Sequence, residues 1–293
     1  MISRRTWLMA AAAPAATAMG AHAAAGRGAG ERGALRVGLA LGAGGARGFA
    51  HIGVLKALDQ AGIDAGVVAG ASAGSLVGVF YAAGFTAWQM EEVALKVREI
   101  DLADMGNNKR GLLAGDALQK LVNRYVNGEP LERLKRRYAA VATDLASGEI
   151  ALLRSGDAGR AVRASCSIPG VFVPCEIGGR EFVDGGLTSP LPVQQARELG
   201  AEFVIAVDVG AKPHNAVAQG LYEVMLQSFE IMGRALSKTQ ARQADALILP
   251  DTAAYSGSDF GVRRELIQAG YEAAQAALPT IKLALAAKRA TRF

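Results

Sequence analysis

Two glycine-rich turns constrain this chain more than any other feature. The first, Gly42-Ala43-Gly44-Gly45-Ala46-Arg47-Gly48, follows the apolar run Arg36–Leu41 and leads into a helical stretch from about Ala46 to Ala61. The second, Gly70-Ala71-Ser72-Ala73-Gly74, follows the short apolar run Gly66–Gly70 and leads into another, Ser72–Ala83. A strand–turn–helix unit repeated in succession is the pattern of parallel strands joined by crossover helices. The rest of the chain continues the alternation. Helices are expected over Thr86–Val97, Gly115–Val126, Ala161–Ser167, Tyr222–Ala241 and from Arg263 onward; strands are expected over Ala139–Asp144, Ile150–Leu153, Phe203–Asp208 and Ala246–Leu249. The sequence therefore predicts an α/β fold with a mainly parallel central sheet and helices on both faces. A hydrophobic content of 51% with a net charge of only +5 excludes disorder. Two cysteines in 293 residues exclude a disulfide scaffold. No long polar tract divides the chain, so one domain is expected over residues 26–293, ending in helices from about 263.

Residues 1–25 read as an export signal that is cleaved from the mature chain. Arg4 and Arg5 precede Trp7-Leu8 and an alanine-rich apolar run, and Ala21-His22-Ala23 is a small-x-small cleavage site. The adjacent arginines resemble a twin-arginine signal, which implies a periplasmic or secreted protein. Removing them makes the net charge milder still, so nucleic acid is not an expected partner.

The two turns differ in chemistry. The first can aim several backbone N–H groups into one cavity, and its glycines let a ligand approach closely. Dinucleotide binding would need a second strand ending in Asp or Glu roughly 20 residues on. Here the second strand ends in Gly70-Ala71-Ser72-Ala73-Gly74, so no nucleotide cofactor is expected. That second turn fits Gly-x-Ser-x-Gly between strand and helix, the context of a nucleophile elbow, with Ser72 at a helix N-terminus. Two bases are open to Ser72. His214, in a loop after Phe203–Asp208, would complete a triad with Asp184 or Asp208 in hydrolase chain order. Asp184, in Phe182-Val183-Asp184-Gly185-Gly186, stands on a sharp turn at a strand end; it is either a base or a turn aspartate bonding its own backbone. His51, one turn into the first helix, reads as a packed residue. No His/Cys cluster suggests a metal.

Taken together, Gly44-Gly45-Ala46-Arg47-Gly48, Gly70-Ala71-Ser72-Ala73-Gly74 and Asp184-Gly185-Gly186 resemble the patatin-like phospholipase family. The likeness runs from about Leu35 to Leu249 and includes Leu39-Ala40-Leu41-Gly42, Gly48–Leu55 and Ala164–Gly170. It implies a patatin-like fold and a Ser–Asp dyad: Ser72 as nucleophile, Asp184 as base, and the amides of Gly44, Gly45 and Ala46 as the oxyanion hole, with Gly70, Gly74, Gly185, Gly186 and Arg47 shaping the motifs. One departure is Ala43, which stands where the family's glycine triplet begins. Arg47 either fixes its turn, the favoured role, or meets a lipid phosphate.

The resemblance further implies a cofactor-free lipid acyl hydrolase of phospholipase A or lysophospholipase type that touches a membrane surface transiently. A soluble carboxylesterase or thioesterase on the same dyad, or a non-catalytic lipid-binding envelope protein, are the alternatives. The segment Asp101–Leu113 is read either as a mobile flap that meets lipid through Met105, Leu112, Leu113, Lys109 and Arg110, or as a solvated connection. Cys166 and Cys175 are expected to be free and buried.

Overall fold

The computed structural model describes residues 35–98, 101–102, 104–210 and 220–291. The export signal expected over 1–25, and His214, lie outside them. In chain order come β1 (Val37–Leu41), α1 (Phe49–Gln60), β2 (Val67–Ala71), α2 (Ala73–Ala83), α3 (Ala87–Lys96), β3 (Met105–Asn108) and β4 (Gly111–Leu113). They are followed by α4 (Asp116–Tyr125), β5 (Arg137–Asp144), β6 (Ile150–Leu153), α5 (Ala158–Ser165), β7 (Gly170–Phe172), β8 (Cys175–Ile177) and β9 (Arg180–Asp184). The chain continues through α6 (Val193–Glu198), β10 (Phe203–Val207), α7 (Leu221–Ala241), β11 (Ala246–Ile248) and α8 (Arg263–Ala290).

Among the described residues the main sheet has eight strands in the order β11-β10-β1-β2-β5-β9-β8, with β6 also pairing β5. The run from β11 to β5 is parallel, and β6, β8 and β9 pair antiparallel. The central strands are buried on both faces, which is why they read as unbroken apolar runs. Alternate side chains enter two cores. Leu39, Leu41, Val68, Ile205 and Val207 pack with α1, α2 and α8. Ala40, Val67, Ala69, Val204 and Ala206 pack with α6 and the residues just before and after it. The sheet therefore has helices on both faces, as the alternation predicts.

The segment Asp101–Leu113, read as a flap or a solvated connection, contains paired strands. Its second half is the β3–β4 hairpin, in which Met105 pairs with Leu113, and β4 in turn pairs β7. Asp104 anchors the segment by accepting from the amides of Gly115 (2.8 Å) and Ala117 (2.7 Å) at the start of α4. Arg110 donates two hydrogen bonds to the Glu181 carboxylate, at 2.6 and 2.8 Å. Sequence missed this hairpin because four- and three-residue strands are too short to display a period.

No helix among the described residues is long and apolar enough to cross a membrane.

Candidate active site

β10, β1 and β2 are adjacent and parallel, so Asp208, the Gly42–Gly48 turn and Ser72 all emerge at one edge of the sheet. Ligands bind at that edge in open α/β sheets, where the loops from neighbouring strand ends converge.

Ser72 has φ 51° and ψ −123°, a conformation that side chains other than glycine rarely adopt. The residues around it hold this geometry. A Cβ on Gly74 would overlap the Leu41 carbonyl, and one on Gly70 would overlap the Gly74 backbone, so the motif's two glycines are required by contact. The Ser72 amide donates to Ser165 Oγ at 3.0 Å, and Ser165 Oγ donates in turn to the Val141 carbonyl at 2.5 Å. The Ser72 carbonyl accepts from the Ser75 amide (2.8 Å) and the Ser75 hydroxyl (2.7 Å). Ser72 is thereby the N-cap of α2, and the partial positive charge at the helix start favours a developing alkoxide.

Strand register delivers Asp184 to the same level. Ala71 pairs Val141 across β2 and β5, and Ala142 pairs Asp184 across β5 and β9. Ser72 follows the residue paired with Val141, and Asp184 pairs with the residue that follows Val141, so the two stand on either side of β5 at one level and both line one cleft. The Asp184 amide donates to the Ser167 carbonyl (2.9 Å), and its carbonyl accepts from Thr143 Oγ1 (2.9 Å). The carboxyl Oδ1 accepts from the Gly186 amide at 2.7 Å. Oδ2 is buried without a hydrogen-bond partner among the described residues. Burial raises the carboxyl to about 6, partly offset by the nearby Ser72 hydroxyl and the Gly186 amide. A carboxyl at that value is a better base than an ordinary aspartate and still ionised at neutral pH.

The glycine-rich turn forms another part of the wall, through Gly44, Gly45 and Arg47. The amides of Gly42, Ala43 and Ala46 are occupied: they donate to the carbonyls of Val207 (3.0 Å), Pro190 (2.8 Å) and Gly257 (2.7 Å). Those of Gly44 and Gly45 have no acceptor among the described residues. Ala46, expected among the oxyanion donors, is therefore committed to the Gly257 loop instead. Arg47 is buried, donating to Glu230 Oε1 on α7 at 2.6 Å and to the Tyr255 carbonyl at 3.4 Å. That contact set ties the turn to α7, in line with the favoured structural role. His51 lies behind the turn with Nε2 at 2.8 Å from the Gly42 carbonyl, and burial lowers it to about 4, so it is neutral near pH 7. Asp208 also lines the cleft; burial raises its carboxyl, which accepts from the Gly210 amide at 2.9 Å. Cys166 and Cys175 are free and buried.

The cleft has a volume of about 1640 Å³. Leu113, Ile168, Val171, Phe172, Leu226 and Phe229 form its apolar walls above Ser72. The described residues contain no cluster of His, Cys, Asp and Glu able to hold a metal ion.

Residues 39–197 match the family model for patatin-like phospholipase. The chain belongs to the patatin-like phospholipase family. Its α/β architecture, with a mainly parallel sheet, is the one this membership implies. A 178-residue stretch is 39% identical to an uncharacterized NTE family protein of Mycobacterium tuberculosis, covering 59% of this chain and 49% of that one. Over 225 residues it is 32% identical to human patatin-like phospholipase domain-containing protein 6, covering 74% of this chain and 16% of that one. Over 279 residues it is 30% identical to the lysophospholipase NTE1 of Coccidioides immitis, covering 84% and 18%. Against these curated relatives the match thus spans about half of the first and under a fifth of the others. Among solved structures, VipD of Legionella pneumophila aligns with a TM-score of 0.49 at 14% identity, covering 85% of this chain and 67% of that one.

Two supports of the candidate site were not assigned from sequence. Ser165 fixes the Ser72 amide to β5, and Thr143 fixes the Asp184 carbonyl. The signal for Ser165 was its place in Ala164–Gly170, a segment that also supplies the Ser167 carbonyl to Asp184.

Proposed function

We propose that this chain is a lipid acyl hydrolase of lysophospholipase or phospholipase A type working through a Ser72–Asp184 dyad. The observation that supports the proposal is a strained serine at a helix N-terminus and, lining the same cleft, a buried carboxyl whose Oδ2 has no hydrogen-bond partner among the described residues. Asp184 accepts the Ser72 hydroxyl proton as Oγ attacks the acyl carbonyl carbon. The amides of Gly44 and Gly45, which have no acceptor among the described residues, hold the oxyanion, and Ala46 is left out of the donor set because its amide is engaged. The tetrahedral intermediate collapses to acyl-Ser72, and Asp184 returns the proton to the departing alcohol. Water, activated by the same carboxylate, then releases the fatty acid. The apolar cleft suits an acyl chain, and the name lysophospholipase, carried by the fungal relative, supports an ester of that class.

The test is hydrolysis of a lysophospholipid and of short-chain esters by the parent and by Ser72→Ala. The parent is expected to release fatty acid and to be labelled at Ser72 by a fluorophosphonate. Ser72→Ala is expected to lose at least about a thousandfold in kcat/KM, in line with removal of a covalent nucleophile. Activity on short esters alone would favour a soluble esterase, and activity surviving in Ser72→Ala would overturn the dyad.

A further inference from the structure

α7 carries most of its large apolar side chains on the side away from the cleft. Leu221 is 88% exposed, and Val224, Ile231 and Met232 are each about half exposed, with Leu236 a turn further on. Their spacing places them along one stripe of the helix. The opposite flank faces the cleft through Glu223, Gln227, Glu230 and Arg234, and reaches its rim at Lys238 and Arg242. Leu247 and Leu249, also exposed, continue the apolar surface at the cleft wall. Such a surface in a row beside a binding cleft is more than the scattered apolar exposure of an ordinary protein.

Charge selects the partner. Lys238 and Arg242 stand one turn apart at the C-terminal end of α7, both exposed and both at the rim of the cleft. Neither forms an ion pair among the described residues. The two acids of α7 lie on the cleft flank, where Arg47 holds Glu230 and Glu223 accepts from the Gly220 amide. The exposed apolar stripe thus runs beside a cleft rim that carries two cations. That is the composition of a helix lying in the interface of an anionic bilayer.

We propose that the outward face of α7 docks on an anionic lipid surface and sets the mouth of the Ser72 cleft against it. The contact assigned here is α7; the β3–β4 hairpin also exposes Met105 and Leu112, with its Arg110 paired to Glu181. This docking rests on the lipid-hydrolase reading for its purpose, and its test is one of binding, so the two can fail separately.

The experiment is flotation of the full chain carrying Ser72→Ala, so that nothing is hydrolysed, with phosphatidylcholine vesicles with and without phosphatidylglycerol. Binding is expected only with phosphatidylglycerol present. Lys238→Gln with Arg242→Gln is expected to weaken it roughly tenfold or more at low salt, with the difference shrinking as salt rises. Ile231→Ser with Met232→Ser is expected to weaken binding at every salt concentration. In the Ser72 chain that same apolar pair is expected to leave hydrolysis of a short soluble ester unchanged, which reports an intact fold. Vesicle binding at parent strength in either double variant overturns the proposal, as does a parent that fails to bind phosphatidylglycerol vesicles. A parent dimer in light scattering that Ile231→Ser with Met232→Ser dissolves, with vesicle binding unaffected, assigns the face to a second copy and also overturns it. A Ser72 chain that binds vesicles yet releases no fatty acid overturns the hydrolase reading and leaves docking in place.

Discussion

At the scale of single residues, Asp184 and His51 are both buried titratable groups, and their linkage to folding has opposite signs. Burial raises Asp184 to about 6 from the ordinary 3.8, so the folded state holds its proton more tightly than the unfolded chain. Its contribution to stability is full below the unfolded value and is lost as pH rises through about 6. Burial lowers His51 to about 4 from 6.5, so the unfolded chain takes up a proton first on acidification. Its contribution is full above 6.5 and is lost as pH falls toward 4. In the parent the two slopes largely cancel between these limits, and a single substitution uncovers them. Asp184→Asn keeps the side-chain volume and removes the buried charge. Relative to the parent it is expected to be near neutral at pH 4 and about 3 kcal/mol more stable at pH 7.5, at about 1.4 kcal/mol for each pH unit separating the folded from the unfolded value. Urea unfolding at the two pH values measures this; a difference independent of pH would show that Asp184 is not held in a desolvated state. The same variant is expected to lose nearly all esterase activity, and parental kcat/KM should rise with pH through an apparent pKa near 6. Stability gained where activity is lost is the trade expected of a strained site.

At the scale of elements, α8 is built into the fold although it lies beyond residues 39–197 of the family match. It crosses α1 at two glycines. A Cβ on Gly53 would overlap the Ile267 carbonyl, and one on Gly270 would overlap the Ala50 carbonyl, so each helix presents a notch to the other's backbone. Gly270→Ala must push the helices apart and is expected to cost about 2 kcal/mol, or roughly 5 °C in Tm, by overpacking. Gly62→Ala, at a position with open space but φ +69°, separates that effect from backbone strain. A Gly270→Ala protein as stable as the parent would mean the crossing is looser than these contacts require. This crossing was not legible in sequence, because a glycine inside a helical pattern does not announce which helix it meets. The elbow was legible because its demands are local: Gly70, Ser72 and Gly74 sit within one turn and answer to steric limits of that turn. The turn at Asp184-Gly185-Gly186 was legible for the same reason. What brings it to Ser72 is the register across β5, a long-range fact. The Gly257 carbonyl that occupies the Ala46 amide comes from the far end of the chain, and no local pattern could have removed Ala46 from the donor set.

At the scale of the whole molecule, the site joins a rigid half to a lightly held one. Ser72, Asp184 and the glycine-rich turn stand on strands and helices with fully buried interiors, and α2 buries Gly74, Ser75, Val77, Gly78, Val79, Phe80, Tyr81 and Ala82. α7 runs along the cleft in a different state: of its described side chains only Ser237 is buried. Its C-terminal half is tied down by Gln240, which accepts from the Leu191 amide at 2.9 Å and donates to the Thr188 carbonyl at 3.3 Å. Its middle is tied by Glu230 to Arg47, at 2.6 Å. Few buried apolar contacts mean a low free energy of local opening. Hydrogen exchange is therefore expected to rank the elements: amides in the first half of α7 should exchange at least about a hundredfold faster than those of α2, with the half around Gln240 between them. Anionic vesicles should slow α7 and leave α2 unchanged, because the lipid would bury the stripe that the fold leaves exposed. Protection in α7 equal to that of α2 without lipid would mean that the cover and the sheet open as one cooperative unit. The cleft would then have to admit its ester without moving the helix that walls it.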